Sequence, residues 1–177
     1  MKKYTILSIV LTLVFTACSN PKSEEKQKQS IAEEKVVAKP VNEVSLKDDQ
    51  LNAVYQQYLL LSNALVNSDL SMAKETAMAV ELGAKKLKDG VNLAQFAAKI
   101  IATNNLETQR ILFSDLSNVM IARVKTAGLK SGEIYMEHCP MASNDKGASW
   151  LSNQKEIRNP YYGKSMLDCG EVKEILR

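Results

Sequence analysis

Histidine is nearly absent from this chain, because His138 is the single one among 177 residues. It stands beside Cys139, but adjacent side chains of an extended segment point to opposite faces. The two could not easily share a proton over the ~2.6–3.2 Å that general-base catalysis needs. The chain also lacks a C-x-x-C redox pair, a nucleophile elbow, a phosphate loop and a dinucleotide fingerprint. We therefore expect a protein that is not an enzyme.

A long apolar run and a basic cluster are missing as well. The apolar run Ile6–Phe15 has about half of the ~20 residues that a membrane-spanning helix needs. Without residues 1–17 the formal charge falls from +3 to +1, because Lys2 and Lys3 are lost. No cluster of Lys and Arg with interleaved aromatic residues remains, so we expect no nucleic-acid partner.

The N-terminus has the layout of a secretory signal: a basic start, an apolar middle and small residues before a cysteine. Phe15-Thr16-Ala17-Cys18 resembles a bacterial lipobox, with Phe15 in place of the usual Leu. We predict a signal peptide over residues 1–17 and lipidation of Cys18, whose several acyl chains would give a stable membrane anchor. Ser19 is compatible with sorting to the outer membrane, on the side that faces the periplasm.

The segment after the anchor, residues 18–46, is predicted to be a flexible linker that begins with the lipidated cysteine. It is polar and charged, and no aromatic residue occurs between Phe15 and Tyr55. Such a stretch cannot bury enough apolar surface to offset the entropy of its chain. We expect it to tether a single domain that spans residues 47–177.

The first part of that domain has the period of amphipathic helices. Apolar residues recur at three- and four-residue steps from about residue 47 to 128. The pattern breaks at residues 67–69, 89–90 and 103–105, and Gly128 ends the last helix. Short links favour antiparallel neighbours, so we predict a mainly α protein built as an up-down four-helix bundle. Met72, Met78 and Met120 lie on these helices and are predicted to be core filler.

Residues 128–177 are predicted to form an irregular C-terminal cap of turns and short strands, with a final helix from Glu171. Five of the seven glycines lie between Gly128 and Gly170. The cap also contains Trp150, Tyr161 and Tyr162, which we expect to form its own core or a wall beside a site.

The cap holds the residues that could bind a metal. In an extended chain Cys139 and Met141 would share one face, and on a helical turn Met166 and Cys169 would share another. Together they would offer two thiolates and two thioethers, a soft ligand set that selects Cu(I). His138 is a second-rank ligand on geometry, because it would join only if the chain turned sharply.

A Cys139–Cys169 disulfide is the alternative. Two cysteines remain once Cys18 carries lipid, and an even pair in an oxidising envelope favours a disulfide as much as a metal site. Such a bond would stabilise the fold by roughly 3–4 kcal/mol in the chain-entropy model. The methionines near both cysteines tip the prediction toward metal.

Several segments of the cap resemble a bacterial family, the domain of unknown function 3347 family. They are the segments His138–Ala142, Lys146–Ser152, Glu156–Gly163 and Met166–Val172. Tyr55–Leu59 and Phe113–Ser117 of the helical part are similar too. The family occurs as small lipoproteins and as a domain appended to periplasmic adaptor subunits of heavy-metal efflux pumps. Cys139-Pro140-Met141 also looks like the metal-binding repeats of copper pump proteins, which continue with His where this chain has Ala142.

The resemblance implies metal resistance or copper delivery beside an efflux system, with an adaptor or another pump subunit as partner. Cys139, Met141, Met166, Cys169 and His138 are the ligands that residue chemistry suggests. The expected function is to bind a soft ion, Cu(I) above others, and to buffer it or pass it on. The alternative is a protein-interaction module that binds no metal and is stapled by the disulfide.

Overall fold

The computed structural model describes residues 43–177 of the chain. The predicted signal peptide, the predicted lipidation site Cys18 and most of the predicted linker therefore lie outside the described residues. Within residues 43–177, no helix has both the length and the apolar character that crossing a bilayer requires.

Four long helices make up the first part of the described chain. They are α1 (Asp49–Val66), α2 (Leu70–Ala84), α3 (Val91–Ala102) and α4 (Leu106–Ala127). Three of them begin at a side-chain cap, because Asp48, Asp69 and Asn105 each accept a hydrogen bond from a backbone N–H of the first turn. Helix α4 ends at Gly128, whose φ of 74° is easily adopted without a Cβ. The predicted breaks at residues 67–69 and 103–105 and the stop at Gly128 are confirmed, whereas α2 ends at Ala84, earlier than the predicted break at residues 89–90.

Consecutive helices pack against each other, and α1 also contacts α4. Each helix buries an apolar stripe in one shared core. The prediction of a mainly helical protein with four long helices is confirmed, while the up-down order of the helices stays a prediction.

The methionines of the helices divide between core and surface. Met120 is fully buried, as predicted, but Met72 and Met78 are 45% and 51% exposed, so the core prediction was wrong for these two. The buried stripe of α2 consists of smaller residues, among them Ala73, Ala77 and Val80. These small side chains let the neighbouring helices approach closely, and the methionines lie on the remaining faces.

The strands form two small antiparallel sheets. One pairs β1 (Ser45–Leu46) with β2 (Leu129–Ser131), and the other has the order β4-β3-β5. Its strands are β3 (Ile134–Cys139), β4 (Ala148–Ser152) and β5 (Glu171–Leu176). A short helical turn at Ala142–Asp145 and a 3-10 turn at Gly163–Ser165 complete the cap. The predicted cap of short strands and turns is thereby confirmed.

The predicted final helix from Glu171 was wrong, because residues Glu171–Leu176 form strand β5. Exposed and half-buried residues alternate along it, which is the two-residue period of a strand. Six residues are too few to form a stable helix alone. Pairing with β3 instead satisfies the backbone groups on one side of β5, which is an edge strand.

A row of aromatic side chains joins the helices to the cap. Ring centroids are 5.7 Å apart between Trp150 and Tyr161, 5.9 Å between Tyr161 and Phe113, and 5.2 Å between Phe113 and Tyr58. Tyr55 continues the row at 6.1 Å from Tyr58. All five are buried, so Trp150 and Tyr161 belong to the same core as the helices.

The hydroxyls of this row also cross between helices and cap. Tyr58 accepts a hydrogen bond of 3.0 Å from the backbone N–H of Leu151 and shares one of 2.9 Å with Ser117. Tyr161 donates one of 2.7 Å to the carbonyl of Ser149. Strand β4 is therefore fixed to α1 and α4 by polar as well as apolar contacts.

Arg110 connects three parts of the chain. Its guanidinium donates to the carbonyls of Pro160 and Leu65 and to the hydroxyl of Ser68, at 3.1–3.3 Å, and pairs with Glu107. The residue is only 7% exposed. It thus ties the end of α1 and the turn before α2 to the cap.

We expect Arg110→Met to lower the free energy of unfolding by about 2–3 kcal/mol, because it leaves buried carbonyl groups without donors. Chemical denaturation of both proteins measures the difference. Arg123→Met is the matched control, since Arg123 also donates to two carbonyls but makes exposed hydrogen bonds. Equal losses for the two variants would contradict the assigned role.

Candidate functional site

The two cysteines of the cap meet in the folded protein. Cys139 ends strand β3 and is buried, and Cys169 precedes β5 and is half-buried. Although they are 30 residues apart in sequence, their Sγ atoms lie 3.2 Å apart and share a hydrogen bond as free thiols. This sulfur pair is the centre of the candidate site.

The sheet and one turn determine where Cys169 lies. Strands β3 and β5 pair with His138 opposite Glu171, which brings the residues before β5 to the end of β3. The Cys169 N–H donates to the carbonyl of Met166 at 3.3 Å and closes a turn. Asn159, fully buried, donates its side-chain N–H to the Cys169 carbonyl at 2.7 Å. The backbone at Cys169 is thus held on both sides.

The contact between the sulfur atoms affects the ionisation of the pair. The hydrogen bond with the Cys139 thiol raises the pKa of Cys169, and burial and the nearby charges of Cys139 and Asp168 raise it further. A second thiolate at this distance would be repelled by the first. The metal-free pair therefore retains a proton more strongly than an isolated cysteine does.

Met141 does not lie on the face that the sequence predicted. Strand β3 ends at Cys139, and Met141 has the helical dihedrals φ −84° and ψ −12°. The extended alternation assumed for Cys139 and Met141 was therefore wrong, and Met141 is 44% exposed beside a buried Cys139. The two remain neighbours because the chain turns at Pro140.

The loop that carries Met141 is strained. Ser143, Asn144 and Asp145 follow one another with φ between 56° and 60°, a left-handed conformation that is unfavourable for residues with a Cβ. The hydroxyl of Tyr162 donates to the carbonyl of Met141 at 2.6 Å and helps to hold this loop. Burial raises the pKa of Tyr162, and the negative charges that Cys139, Asp145 and Cys169 would carry raise it further.

Met166 lies next to Cys169 through a turn rather than through a helical face. It follows the 3-10 turn with φ −149° and ψ 63°, so the helical spacing assumed for Met166 and Cys169 was wrong. The side chain is half-buried. Its backbone carbonyl still receives the Cys169 N–H, and the two residues are thus at opposite ends of one turn.

His138 lies on the face of β3 opposite Cys139, as the strand pattern predicted. Its Nδ1 shares a hydrogen bond of 2.9 Å with the hydroxyl of Ser149 on β4. The ring lies against Gly147, where a Cβ would come within 2.7 Å of Nε2. The structure therefore gives His138 a partner within the sheet and does not bring it to the sulfur pair.

No three residues of the types His, Cys, Asp and Glu come together as a metal site in the part of the chain that the structure describes. The sulfur pair is thus a two-thiol arrangement with methionines as neighbours in sequence. A third ligand would have to be a methionine sulfur or a group that lies farther away.

Glu137 is a buried acid whose burial was not predicted from the sequence. It lies two residues before Cys139 on the same face of β3, is fully buried, and neither carboxyl oxygen has a hydrogen-bond partner. Burial raises the pKa of Glu137 to about 8, the indole of Trp150 lowers it in part, and Glu156 raises it. The alternation of faces along β3 could have indicated that Glu137 is buried, since it shares a face with Cys139. A buried position was not predicted, because charged residues are rarely found on an inner face.

Among known protein families, one family model matches the chain, and the match lies mainly in the helical part. Residues 54–132 match the family model described as Protein of unknown function (DUF3347). This match supports the predicted domain family. The DUF3347 region covers most of α1, all of α2, α3 and α4, and β2, and ends before the strand that carries Cys139. No curated protein and no solved structure matches the chain.

Proposed function

We propose that this protein binds a soft metal ion, Cu(I) above others, between Cys139 and Cys169. The observation that carries the proposal is the 3.2 Å contact between two thiols that are 30 residues apart in sequence. Thiolate and thioether sulfur select Cu(I) among the common metals. The ion is the cargo of the protein, which holds and releases it without catalysis.

Binding of the ion would displace the thiol protons and the hydrogen bond between Cys139 and Cys169. A thiol must lose its proton to become a metal ligand, so uptake of the ion is coupled to proton release. Because the pKa of Cys169 is raised, its thiol still releases a proton on binding at a higher pH than an isolated cysteine would. The sulfur atoms would also move apart to admit the ion, which the turn at Met166–Cys169 can accommodate more easily than the paired strand β3.

The methionines have different roles in this proposal. Met166 is half-buried at the start of the Cys169 turn, and its thioether is the natural third ligand. Met141, 44% exposed in a strained loop, can meet an ion as it arrives or leaves. His138 is the weakest ligand, because its hydrogen bond to Ser149 would have to break.

The cellular setting belongs to the same proposal. A lipid on Cys18 would hold the protein in the envelope, at the periplasmic side of the outer membrane. The up-down bundle would act as a rigid support for the cap, and the half-buried Cys169, the more accessible of the two cysteines, would pass the ion to a pump adaptor. Ion transfer through exchangeable sulfur ligands needs such an accessible position.

The second candidate function is a protein-interaction module with a structural Cys139–Cys169 disulfide. The same proximity of the thiols favours it, since a small displacement would form the bond. The exposed apolar side chains of α2 would then serve binding; they are Met72, Met78 and Leu82.

Anaerobic titration with Cu(I) against a chromophoric chelator separates the two functions. In the full chain carrying Cys18→Ser, we expect one tightly bound Cu(I) per reduced protein and release of protons on binding. Additional Cys139→Ser and Cys169→Ser substitutions should abolish this binding, and Met166→Leu should weaken it by about tenfold, or roughly 1.4 kcal/mol.

The matched control is Met72→Leu, an exposed methionine on α2, which should change nothing. Undiminished Cu(I) binding in the double cysteine variant would place the site elsewhere. A pair that is always oxidised in freshly isolated protein, with no copper retained, would favour the interaction module.

A further inference from the structure

We propose that Cys139 and Cys169 form a reversible disulfide that closes the metal site when the envelope becomes more oxidising. The inference rests on the proposed function, because it assigns regulation to the same two sulfur atoms. In this proposal the reduced thiol pair is the state that binds metal, and the disulfide is the state that does not.

The geometry permits closure without refolding. The sulfur atoms need to approach by about 1 Å from their 3.2 Å separation. The N–H and the carbonyl of Cys169 are both hydrogen-bonded, so the movement is a rotation of its side chain, which lies in a turn outside the paired residues of β5. Cys139 ends a strand that is paired on both sides and stays in place.

Unequal burial of the two cysteines gives the exchange an order. Cys169, half-buried, is the sulfur that a small-molecule disulfide can reach, while Cys139 is fully buried. The Cys169 thiolate attacks one sulfur of that disulfide, forms a mixed disulfide and releases one small thiol. The Cys139 thiolate then attacks the Cys169 sulfur, forms the internal bond and releases the second thiol.

Electrons and protons balance in this sequence. The protein pair loses two electrons and two protons, and the small disulfide gains them as two thiols. Reduction runs along the same path in reverse, again entering at Cys169. A disulfide that a small thiol can reach, here through the half-buried Cys169, exchanges readily, whereas a fully buried one resists reduction.

Metal and oxidation then exclude each other. The disulfide removes both thiolates from the ligand set, and bound Cu(I) in turn occupies both sulfur atoms, so each state opposes the other by reciprocal linkage. An oxidising envelope would empty the site, and a high Cu(I) level would keep it reduced.

The test uses the full chain carrying Cys18→Ser, so that only the two site thiols remain. The probe is a series of anaerobic buffers with different ratios of reduced to oxidised glutathione. Alkylation followed by mass spectrometry measures the disulfide, and chelator competition measures Cu(I) binding. We expect complete and reversible conversion in the folded protein and loss of Cu(I) binding in the oxidised form. Half conversion of the Cu(I)-loaded protein should need a ratio of oxidised to reduced glutathione at least about tenfold higher.

Two variants sharpen the result. Cys169→Ser should leave Cys139 unmodified by glutathione, since its sulfur is buried. Met72→Leu removes an exposed thioether of α2 and should leave the thiol–disulfide cycle unchanged.

The opposing outcomes are distinct. Failure of the dithiol to bind Cu(I), seen before any oxidant is added, would overturn the proposed function and this regulation with it. Normal Cu(I) binding by a pair that never oxidises would overturn the switch alone. A disulfide that reductant opens only after unfolding, or that leaves Cu(I) binding intact, would do the same.

Discussion

Trp150→Ala is expected to lower the free energy of unfolding by about 3–5 kcal/mol, as for other fully buried aromatic residues cut back to alanine. The side chain is 1% exposed and makes an edge-on contact with Tyr161 at 5.7 Å. Its ring also lies against Gly170, where a Cβ would come within 3.1 Å of Cη2. The cavity would therefore open between the helices and the strand that follows Cys169.

Chemical denaturation measures the loss, and the rate of alkylation of Cys169 reports the site. We expect alkylation to become faster in the variant, because Trp150 supports the residue next to Cys169. Leu82→Ala is the control, since Leu82 is 61% exposed and its loss should change stability by no more than about 0.5 kcal/mol. A small loss for Trp150→Ala, similar to that of the control, would show that the cap does not depend on the aromatic row.

The stability of the reduced, metal-free protein is expected to fall as the pH rises from about 4.5 to 8. Burial raises the pKa of Glu137 from 4.5 to about 8, so between these values the folded protein holds one more proton than the unfolded chain. The protonated Glu137 carboxyl group contributes fully to stability below pH 4.5, its pKa in the unfolded chain. This contribution is lost as the pH rises through about 8, its pKa in the folded protein. The slope is about 1.4 kcal/mol per pH unit, and the total loss is roughly 3–5 kcal/mol.

Denaturation at a series of pH values from 5 to 9 tests this expectation. Glu137→Gln should flatten the profile, because the amide has nearly the same shape and does not ionise. Glu133→Gln is the control: the hydrogen bond from Arg177 lowers the pKa of the half-buried Glu133, so this carboxylate does not titrate in the window. Parallel profiles for the wild-type protein and Glu137→Gln would contradict the assignment of the slope to Glu137.

The helices could be predicted from the sequence because their signals are local. Asp48, Asp69 and Asn105 cap helices just where the apolar period begins, and Gly128 ends the last one. Which methionines are buried depends on the neighbours of α2, which no local pattern specifies. Without that information the prediction placed Met72 and Met78 in the core, but both lie at the surface.

The cap was less predictable because its contacts are distant in sequence. Strand β5 forms through pairing with β3, and without that partner Glu171–Leu176 carries no decisive signal. The meeting of Cys139 and Cys169 could be proposed from their chemistry, but the turns at Pro140 and Met166 that position the methionines could not. Arg110 and Glu137 were missed because charged residues are expected at the surface, and only tertiary contacts bury them.

The pairing of β1 with β2 also determines how the domain would respond to mechanical load. Ser45 and Leu46 are bonded to Ser131 and Leu129, directly before the cap, and precede α1. A pull on the chain at Glu43 would therefore act first on this short ladder and on the cap beside it. The helices would bear tension only after the ladder had opened, so the domain would loosen first at the end that leads into the sulfur site.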